Sequence, residues 1–136
     1  MKLIPSLIAG LVLLGTVIFT SCETEKAEKP EKMLRHVVLF KFKDTSTPEQ
    51  VKEVEDAFRK LPSQIKEIKD FEWGTNNSPE NLNQGYTHCF FVTFENEEGR
   101  AVYLPHPDHK AFGEVLGPHL DKVLVIDYLT QKWIVL

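Results

Sequence analysis

Two strand-length runs constrain the fold of this 136-residue chain more than any other feature. Residues 34–43 and 123–128 show the alternation typical of β-strands, yet both faces of each run are largely apolar. In the first run, one face carries His36, Val38, Phe40 and Phe42, and the other carries Val37, Leu39 and Lys41. A strand that is apolar on both faces has to be covered on both, so we expect a sheet with a layer on each side.

The first helix is predicted shortly after the first of these runs. Thr47 is a suitable N-cap, Pro48 suits the first helical position, and Gln50 completes a capping-box pattern. Apolar residues then recur at three- and four-residue steps, at Val51, Val54, Phe58, Leu61 and Ile65. Because proline lacks the amide proton of a helical hydrogen bond, Pro62 is expected to end the regular helix near Leu61.

The remaining patterns predict strands at residues 68–75 and 86–95, followed by helical segments at residues 97–104 and 108–120. With residues 123–128 as the last strand, the order is β-α-β-β-α-β, which is that of the ferredoxin-like α+β fold. The helices of such a fold cover one face of the sheet. We therefore expect a second copy of the chain to cover the other face in a homodimer. A partly exposed apolar face is the alternative.

The first 22 residues have the pattern of an export signal rather than of a folded element. Lys2 gives a positive start, residues 3–19 are mostly apolar, and small residues precede Cys22. Phe-Thr-Ser-Cys at residues 19–22 resembles a bacterial lipobox, in which the cysteine receives lipid. The resemblance implies a lipid anchor on Cys22 and a location in the bacterial cell envelope, periplasmic or on the outer surface. Ordinary cleavage and an uncleaved membrane anchor are the alternatives.

The segment after Cys22 is predicted to be a tether. Residues 23–32 are rich in Lys and Glu and contain no aromatic or large aliphatic side chain, so they are expected to stay flexible. Residues 33–136 then make one domain of common size. A net charge of −4 is not typical of nucleic-acid-binding proteins, and no such partner is expected. With Cys22 lipidated, Cys89 is the sole remaining cysteine, so no intrachain disulfide can form.

One phenol, two imidazoles and one carboxylate lie close together between Tyr103 and His109. Histidine titrates near neutral pH, so His109 is a candidate general base that removes a proton from the carbon next to a carbonyl group. Tyr103 is a candidate hydrogen-bond donor to the developing enolate. Purely structural roles, and ligand binding without catalysis, are the alternatives. His106 and His109 could share a helical face as metal ligands. No metal-binding motif accompanies them, however, and neither a metal nor another cofactor is expected.

Two further histidines, His36 and His88, each share a strand face with large aromatic residues. If these faces lie under the helices, both imidazoles point toward residues 103–109, and a pocket forms between the sheet and the helices. The predicted ligand-binding residues of this pocket are His36, His88, Phe40, Phe90 and Phe112. If the same faces lie at the dimer interface instead, the cluster does not assemble.

Five segments occur in an order and spacing that resemble those of a known family. They are HVVLFKF at residues 36–42, FEWG at 71–74, GYTH at 85–88, YLPHPDH at 103–109 and VIDY at 125–128. Over residues 33–130 the chain resembles the Dabb family, the stress-responsive dimeric α/β barrel domain. The resemblance implies the ferredoxin-like fold and a dimer in which two sheets close a barrel.

The resemblance also implies roles for the histidines and the tyrosine. In a plant member of the family that cyclises a polyketide thioester, the catalytic pair corresponds to Tyr103 and His109, and two pocket histidines correspond to His36 and His88. Such a thioester is not an expected substrate outside the cytoplasm. Two functions therefore stand. One is a stress-protective module that binds a small apolar molecule, and the other is a lyase, cyclase or isomerase with His109 as its base.

Overall fold

The computed structural model describes residues 32–131. The predicted signal, Cys22 and the tether up to residue 31 lie outside the described residues, as do residues 132–136. The elements are β1 (Leu34–Phe42), α1 (Pro48–Gln64), β2 (Ile68–Thr75), β3 (His88–Phe94), α2 (Glu97–Tyr103), α3 (Pro107–Leu116) and β4 (Leu120–Leu129). Within this part of the chain, no helix combines the length and the apolar character needed to cross a membrane.

The four strands form one antiparallel sheet in the order β2-β3-β1-β4. This is the ferredoxin-like α+β arrangement predicted from the element order. The two strands at the ends of the chain, β1 and β4, are neighbours, and their register places His36 opposite Asp127 and Val38 opposite Val125. Residues opposite each other in an antiparallel pair point to the same face, so this register decides which side chains can meet.

Helix α1 begins as predicted and ends later than predicted. The Thr47 side chain accepts a hydrogen bond from the Gln50 amide, and the Gln50 side chain accepts one from the Thr47 amide, so the capping box is present. The expectation that Pro62 ends the helix near Leu61 is wrong, because α1 continues to Gln64. A proline in the last turn removes one amide donor, and the following residues still form helical bonds, such as Ile65 N–H to the Leu61 carbonyl.

The second helical region is two helices that meet at a corner. Helix α2 ends at Tyr103, and α3 begins at Pro107 with His106 as its N-cap. Helix α3 ends at Leu116, four residues before the predicted end at residue 120, because Pro118 has no amide proton to continue the helix. Strand β4 then starts three residues before the predicted position and pairs with β1 along its length.

The core lies between one face of the sheet and the helices. At its centre, the ring centroid of Phe58 on α1 lies 4.4 Å from that of Phe90 on β3 and 4.5 Å from that of Phe112 on α3. The buried apolar residues of this cluster are Leu34, Val38, Phe40, Val54, Phe58, Leu61, Ile65, Ile68, Phe90, Val92, Phe94, Tyr103, Phe112 and Leu116. The faces carrying His36 and His88 are thus the faces under the helices.

Among residues 32–131, no helix packs against the other face of the sheet. Its apolar side chains include Val37 and Leu39 on β1, Phe91 on β3, and Leu124 and Ile126 on β4, by the alternation of each strand. Strand β4 is exposed along most of its length, and Ile126 keeps 50% of its surface accessible. An apolar edge strand of this kind is unusual for a protein that works as a monomer.

Candidate functional site

The corner between α2 and α3 places Tyr103 and His109 side by side. Tyr103 is the last residue of α2, and His109 lies in the first turn of α3. His106 serves as the helix cap, with its Nδ1 accepting a hydrogen bond from the Asp108 amide at 3.2 Å. The turn between the two helices brings the Tyr103 and His109 rings to a centroid distance of 4.2 Å.

Both side chains line a cavity of about 370 Å³ between the sheet and the helices. Its lining includes His36, Phe40, Tyr103, His109, Phe112 and Asp127. The wall is largely apolar, and the polar groups are concentrated near the α2–α3 corner and the adjoining part of β1 and β4. A cavity of this size with a few convergent polar groups has the usual features of a small-molecule site.

The imidazole of His109 is held with one nitrogen available to a ligand. Its Nδ1 lies 3.0 Å from the Leu104 carbonyl oxygen, which can only accept, so Nδ1 carries the proton and donates. In the neutral ring, Nε2 is then an acceptor, and no group in the described part of the chain donates a hydrogen bond to it. Partial burial lowers the pKa of His109 below its usual 6.5, and the nearby imidazoles His36 and His106 act in the same direction. The ring is therefore neutral at neutral pH, which is the form a general base requires.

Tyr103 remains protonated, since burial raises the pKa of its phenol well above the usual value. The residue is buried, and it forms part of the inner wall of the cavity. Its ring packs against Phe94 at a centroid distance of 5.0 Å and meets His36 edge-on at 5.8 Å. A buried, rigidly packed phenol is suited to donating a hydrogen bond without first reorganising.

A carboxylate on β4 fixes the orientation of His36. The Nδ1 of His36 lies 2.8 Å from Asp127 Oδ1, so the ring donates to the carboxylate and its Nε2 is left for other partners. Arg100 of α2 contacts the other oxygen of Asp127, with Nη1 at 3.2 Å from Oδ2. The three side chains tie together β1, β4 and α2 beside the cavity. Such a chain orients an imidazole and keeps it in one tautomer.

His88 and Phe90 do not line this cavity. The Nε2 of His88 lies 3.0 Å from Glu55 Oε1 on α1, and its Nδ1 lies 2.8 Å from Thr87 Oγ1. Its ring is stacked parallel to that of Trp73 on β2, at a centroid distance of 6.4 Å. Phe90 is fully buried in the core. The alternation placed both residues on the correct face, but the sheet order puts β3 on the side of β1 away from β4 and the cavity.

The comparison with protein families agrees with the fold and with the segments that make up the site. The model of the Dabb family, described as the stress responsive A/B barrel domain, matches residues 34–130. The chain belongs to the Dabb family.

Three relatives show how far the likeness of this Dabb domain extends. It is 46% identical to the stress-response A/B barrel domain-containing protein HS1 of Arabidopsis thaliana, covering 76% of this chain and 93% of HS1. It is 36% identical to olivetolic acid cyclase of Cannabis sativa, covering 73% of this chain and 98% of the cyclase. A dimeric ferredoxin-like protein from Thermobifida fusca is 30% identical with a TM-score of 0.63, covering 74% of this chain and 93% of that chain.

Of the predicted site residues, the Dabb fold brings together His36, Phe40, Tyr103, His109 and Phe112. Sequence reasoning missed Asp127 and Arg100 as members of the same cluster. The signal for Asp127 was a single carboxylate inside an otherwise apolar strand, but its use depends on the β1–β4 register. Arg100 gave no signal, because a charged residue on a short helix is ordinary.

The Dabb domain offers little for a metal ion. Across residues 32–131, no group of three or more His, Cys, Asp or Glu side chains is arranged so that it could hold one. Cys89 lies on β3 with Gly74 opposite it, on the sheet face away from the cavity. Burial raises the pKa of its thiol, which disfavours the thiolate needed for nucleophilic or metal chemistry.

Proposed function

We propose that the cavity binds a small, largely apolar carbonyl compound and that His109 removes a proton from the carbon next to the carbonyl group. The observation that carries the proposal is the free Nε2 of a neutral His109 on the same cavity as Tyr103, with ring centroids 4.2 Å apart. Bases in proton abstraction need this combination of protonation state and placement.

The proposed step is balanced within the protein and the bound compound. The carbon–hydrogen bond breaks, the proton passes to Nε2 of His109, and the electron pair forms the carbon–carbon double bond of an enolate. Negative charge develops on the former carbonyl oxygen, where the Tyr103 hydroxyl donates a hydrogen bond. In an isomerase the His109 imidazolium then returns the proton to another carbon. In a cyclase the enolate carbon attacks a second carbonyl carbon of the same compound, whose C=O π bond breaks to give an alkoxide that takes the proton from His109. In a lyase the enolate pair forms a new carbon–carbon double bond, and the bond to a leaving group on the next carbon breaks, with the leaving group taking the electron pair and the proton from His109. Isomerase, cyclase and lyase reactions share this first step.

The likeness to a protein named a cyclase supports this class of chemistry. The alternative is a stress-protective module that holds an apolar molecule without reaction. The cavity volume of about 370 Å³ and the aromatic rings of Phe40 and Phe112 support binding in either case. The two functions differ only in whether a proton leaves the bound molecule.

Hydrogen exchange tests the proposal directly. Butyrophenone incubated with the protein in D₂O should gain deuterium next to its carbonyl, measured by mass spectrometry. His109→Gln should lower the rate of enzymatic exchange by about 10²- to 10⁴-fold, which is the usual contribution of a general base. Tyr103→Phe should lower it by about 10²- to 10³-fold, as for loss of a hydrogen-bond donor to an oxyanion.

The matched control is His119→Gln, because His119 lies in the turn after α3 and does not line the cavity. It should exchange at the rate of the unaltered protein. Exchange that survives His109→Gln would rule out this base. Binding of butyrophenone with no exchange by the unaltered protein would point to the module without chemistry.

We also propose that Cys22 carries a lipid anchor that holds the domain in the bacterial cell envelope, on the periplasmic or outer surface. The support is the export pattern of residues 1–22 and the Lys/Glu-rich segment of residues 23–32 that follows it. Cys22→Ser should abolish labelling by a radioactive fatty acid in growing cells. Cys89→Ser removes the other cysteine and should leave labelling unchanged. Equal labelling of the Cys22→Ser variant would contradict the anchor.

Two copies of the domain are proposed to pair through the sheet face that has no helix against it. The support is the apolar character of that face, including Leu124 and Ile126, and the dimeric state named for the relative from Thermobifida fusca. Pairing would place the two open faces in contact and leave each cavity under its own helices.

A further inference from the structure

Helix α3 has an incomplete inner face. Residues 109, 112, 113 and 116 are three or four positions apart and therefore lie on one side of the helix. His109, Phe112 and Leu116 fill that side with large groups, and all three line the cavity. The fourth position is Gly113, which lines the same cavity without a side chain.

The backbone does not require glycine at this position. The residues described with a positive φ are Asn81, Gln84 and Gly85, so Gly113 has a conformation open to any residue. Glycine is also the poorest helix former apart from proline. The local structure of α3 thus gives no reason for a glycine here.

No neighbouring atom requires glycine either. A Cβ atom built on Gly113 meets no atom of residues 32–131 within 4 Å, apart from the backbone of its own helix. By contrast, a Cβ on Gly85 would lie 2.7 Å from the side chain of Lys41. The space in front of Gly113 is therefore not used for packing within the described part of the domain.

That space belongs to the outer part of the cavity. Across from α3, the cavity wall is formed by Val123 and Val125 of the edge strand β4, which keep 47% and 46% of their surfaces exposed. Gly113 itself is exposed. The cavity therefore opens to solvent between α3 and β4, while His36 and Asp127 lie toward the α2–α3 corner.

We propose that Gly113 determines the size of the ligand, because the missing side chain leaves room for the apolar end of the bound molecule. The inference rests on the proposed function, in which the carbonyl group lies at Tyr103 and His109. The one lining residue with a full charge is Asp127, which is engaged by Arg100. The ligand class is accordingly an uncharged carbonyl compound with an alkyl or aryl tail that passes between Gly113 and β4.

The test compares two ketones on four proteins. Acetophenone and hexanophenone share the carbonyl and the ring and differ by four methylene groups. Their dissociation constants are measured by ligand-observed NMR for the unaltered domain, Gly113→Ala, Gly113→Leu and Ala111→Leu. The measurements use residues 33–136, because the Dabb family model matches residues 34–130. Ala111→Leu is the matched control, because Ala111 is exposed on the same helix and does not line the cavity.

Gly113→Leu should raise the dissociation constant of hexanophenone by about tenfold or more. This is the loss of affinity expected when two or more methylene groups are no longer buried. The dissociation constant of acetophenone should rise by a smaller factor. Gly113→Ala should lower the affinity for hexanophenone by a smaller factor than Gly113→Leu. It should also raise Tm by roughly 2–6 °C, because alanine is a better helix former than glycine. Ala111→Leu should bind both ketones like the unaltered domain.

Equal affinity of the Gly113→Leu and unaltered domains for hexanophenone would overturn the inference while leaving the proposed chemistry intact. If the unaltered domain shows no hydrogen exchange but Gly113→Leu still weakens the binding of hexanophenone more than that of acetophenone, the proposed chemistry is refuted and the inference about Gly113 stands. If neither ketone binds the unaltered domain, both the proposed function and the inference about Gly113 are refuted. A melting transition for each variant identifies any that fail to fold, and the Gly113→Ala variant then carries the comparison.

Discussion

Substituting Ile126 with lysine should split the proposed dimer without damaging the monomer. Ile126 lies on β4 opposite Val37 of β1, on the sheet face away from the cavity, with 50% of its surface exposed. Since that position is already half open to solvent, a lysine there should change the stability of the separate domain by less than about 0.5 kcal/mol. The effect on pairing is much larger, because each dimer contains the substitution twice.

The magnitude follows from the exposed surface. Full burial of an aliphatic side chain is worth about 1.5–3 kcal/mol, so covering the exposed half of Ile126 contributes roughly 1 kcal/mol per copy. Loss of both copies removes about 2 kcal/mol, and enclosing two ammonium groups in an apolar interface costs at least about 2–4 kcal/mol more. A total of about 4–6 kcal/mol corresponds to a Kd raised roughly 10³- to 10⁴-fold.

Sedimentation of residues 33–136 at micromolar concentration gives the readout. The unaltered domain should sediment as two chains and Ile126→Lys as one. Val102→Lys is the control, because Val102 is a β-branched residue on α2 with 48% exposure and lies on the helical side of the molecule. It should remain paired. An Ile126→Lys domain that still sediments as a dimer would refute the assignment of the interface.

Three further predictions concern the site and the fold. Burial lowers the pKa of His109, so the exchange rate should be constant above that pKa and fall on acidification, with a midpoint below pH 6.5. A pH–rate profile with a midpoint above pH 6.5 would contradict the burial argument. Asp127→Asn keeps the size but turns an amide donor toward Arg100. It should lower Tm by the equivalent of about 1–3 kcal/mol and slow exchange without abolishing butyrophenone binding, and an unchanged Tm would argue against the three-residue chain. Phe58→Ala removes a ring that packs on Phe90 and Phe112 and should cost about 3–5 kcal/mol in a urea unfolding experiment, whereas Thr47→Ala at the helix cap should cost about 1 kcal/mol.

Local patterns were sufficient for the elements of this fold and for part of the site. The capping box at Thr47, the apolar stripe of α1 and the alternation of β1 each depend on neighbours in the chain, and each was found as predicted. The end of α1 was misjudged because a proline in the last turn costs one hydrogen bond, which the packing of Leu61 and Ile65 in the core outweighs.

The pairing of Tyr103 with His109 could be predicted, because both residues lie on one short segment interrupted by prolines. The separation of His88 from them could not be, because strand alternation reports which face a residue is on and says nothing of its distance across the sheet. Asp127 escaped notice for the same reason. Asp127 belongs to the site because it lies opposite His36 and accepts a hydrogen bond from it, although the two residues are 91 positions apart in the chain.

The amino-acid sequence by itself determined the order of strands and helices, the apolar character of both faces of the first and last strands, and the chemical groups near the α2–α3 corner, since hydrophobic periodicity and capping act over a few residues. Only the tertiary structure decided that His36, Asp127 and Arg100 join that corner, that His88 binds Glu55 instead, and that the missing side chain of Gly113 faces an open cavity. These outcomes depend on strand order, register and the packing of α3 over the sheet, which are properties of contacts between distant parts of the chain.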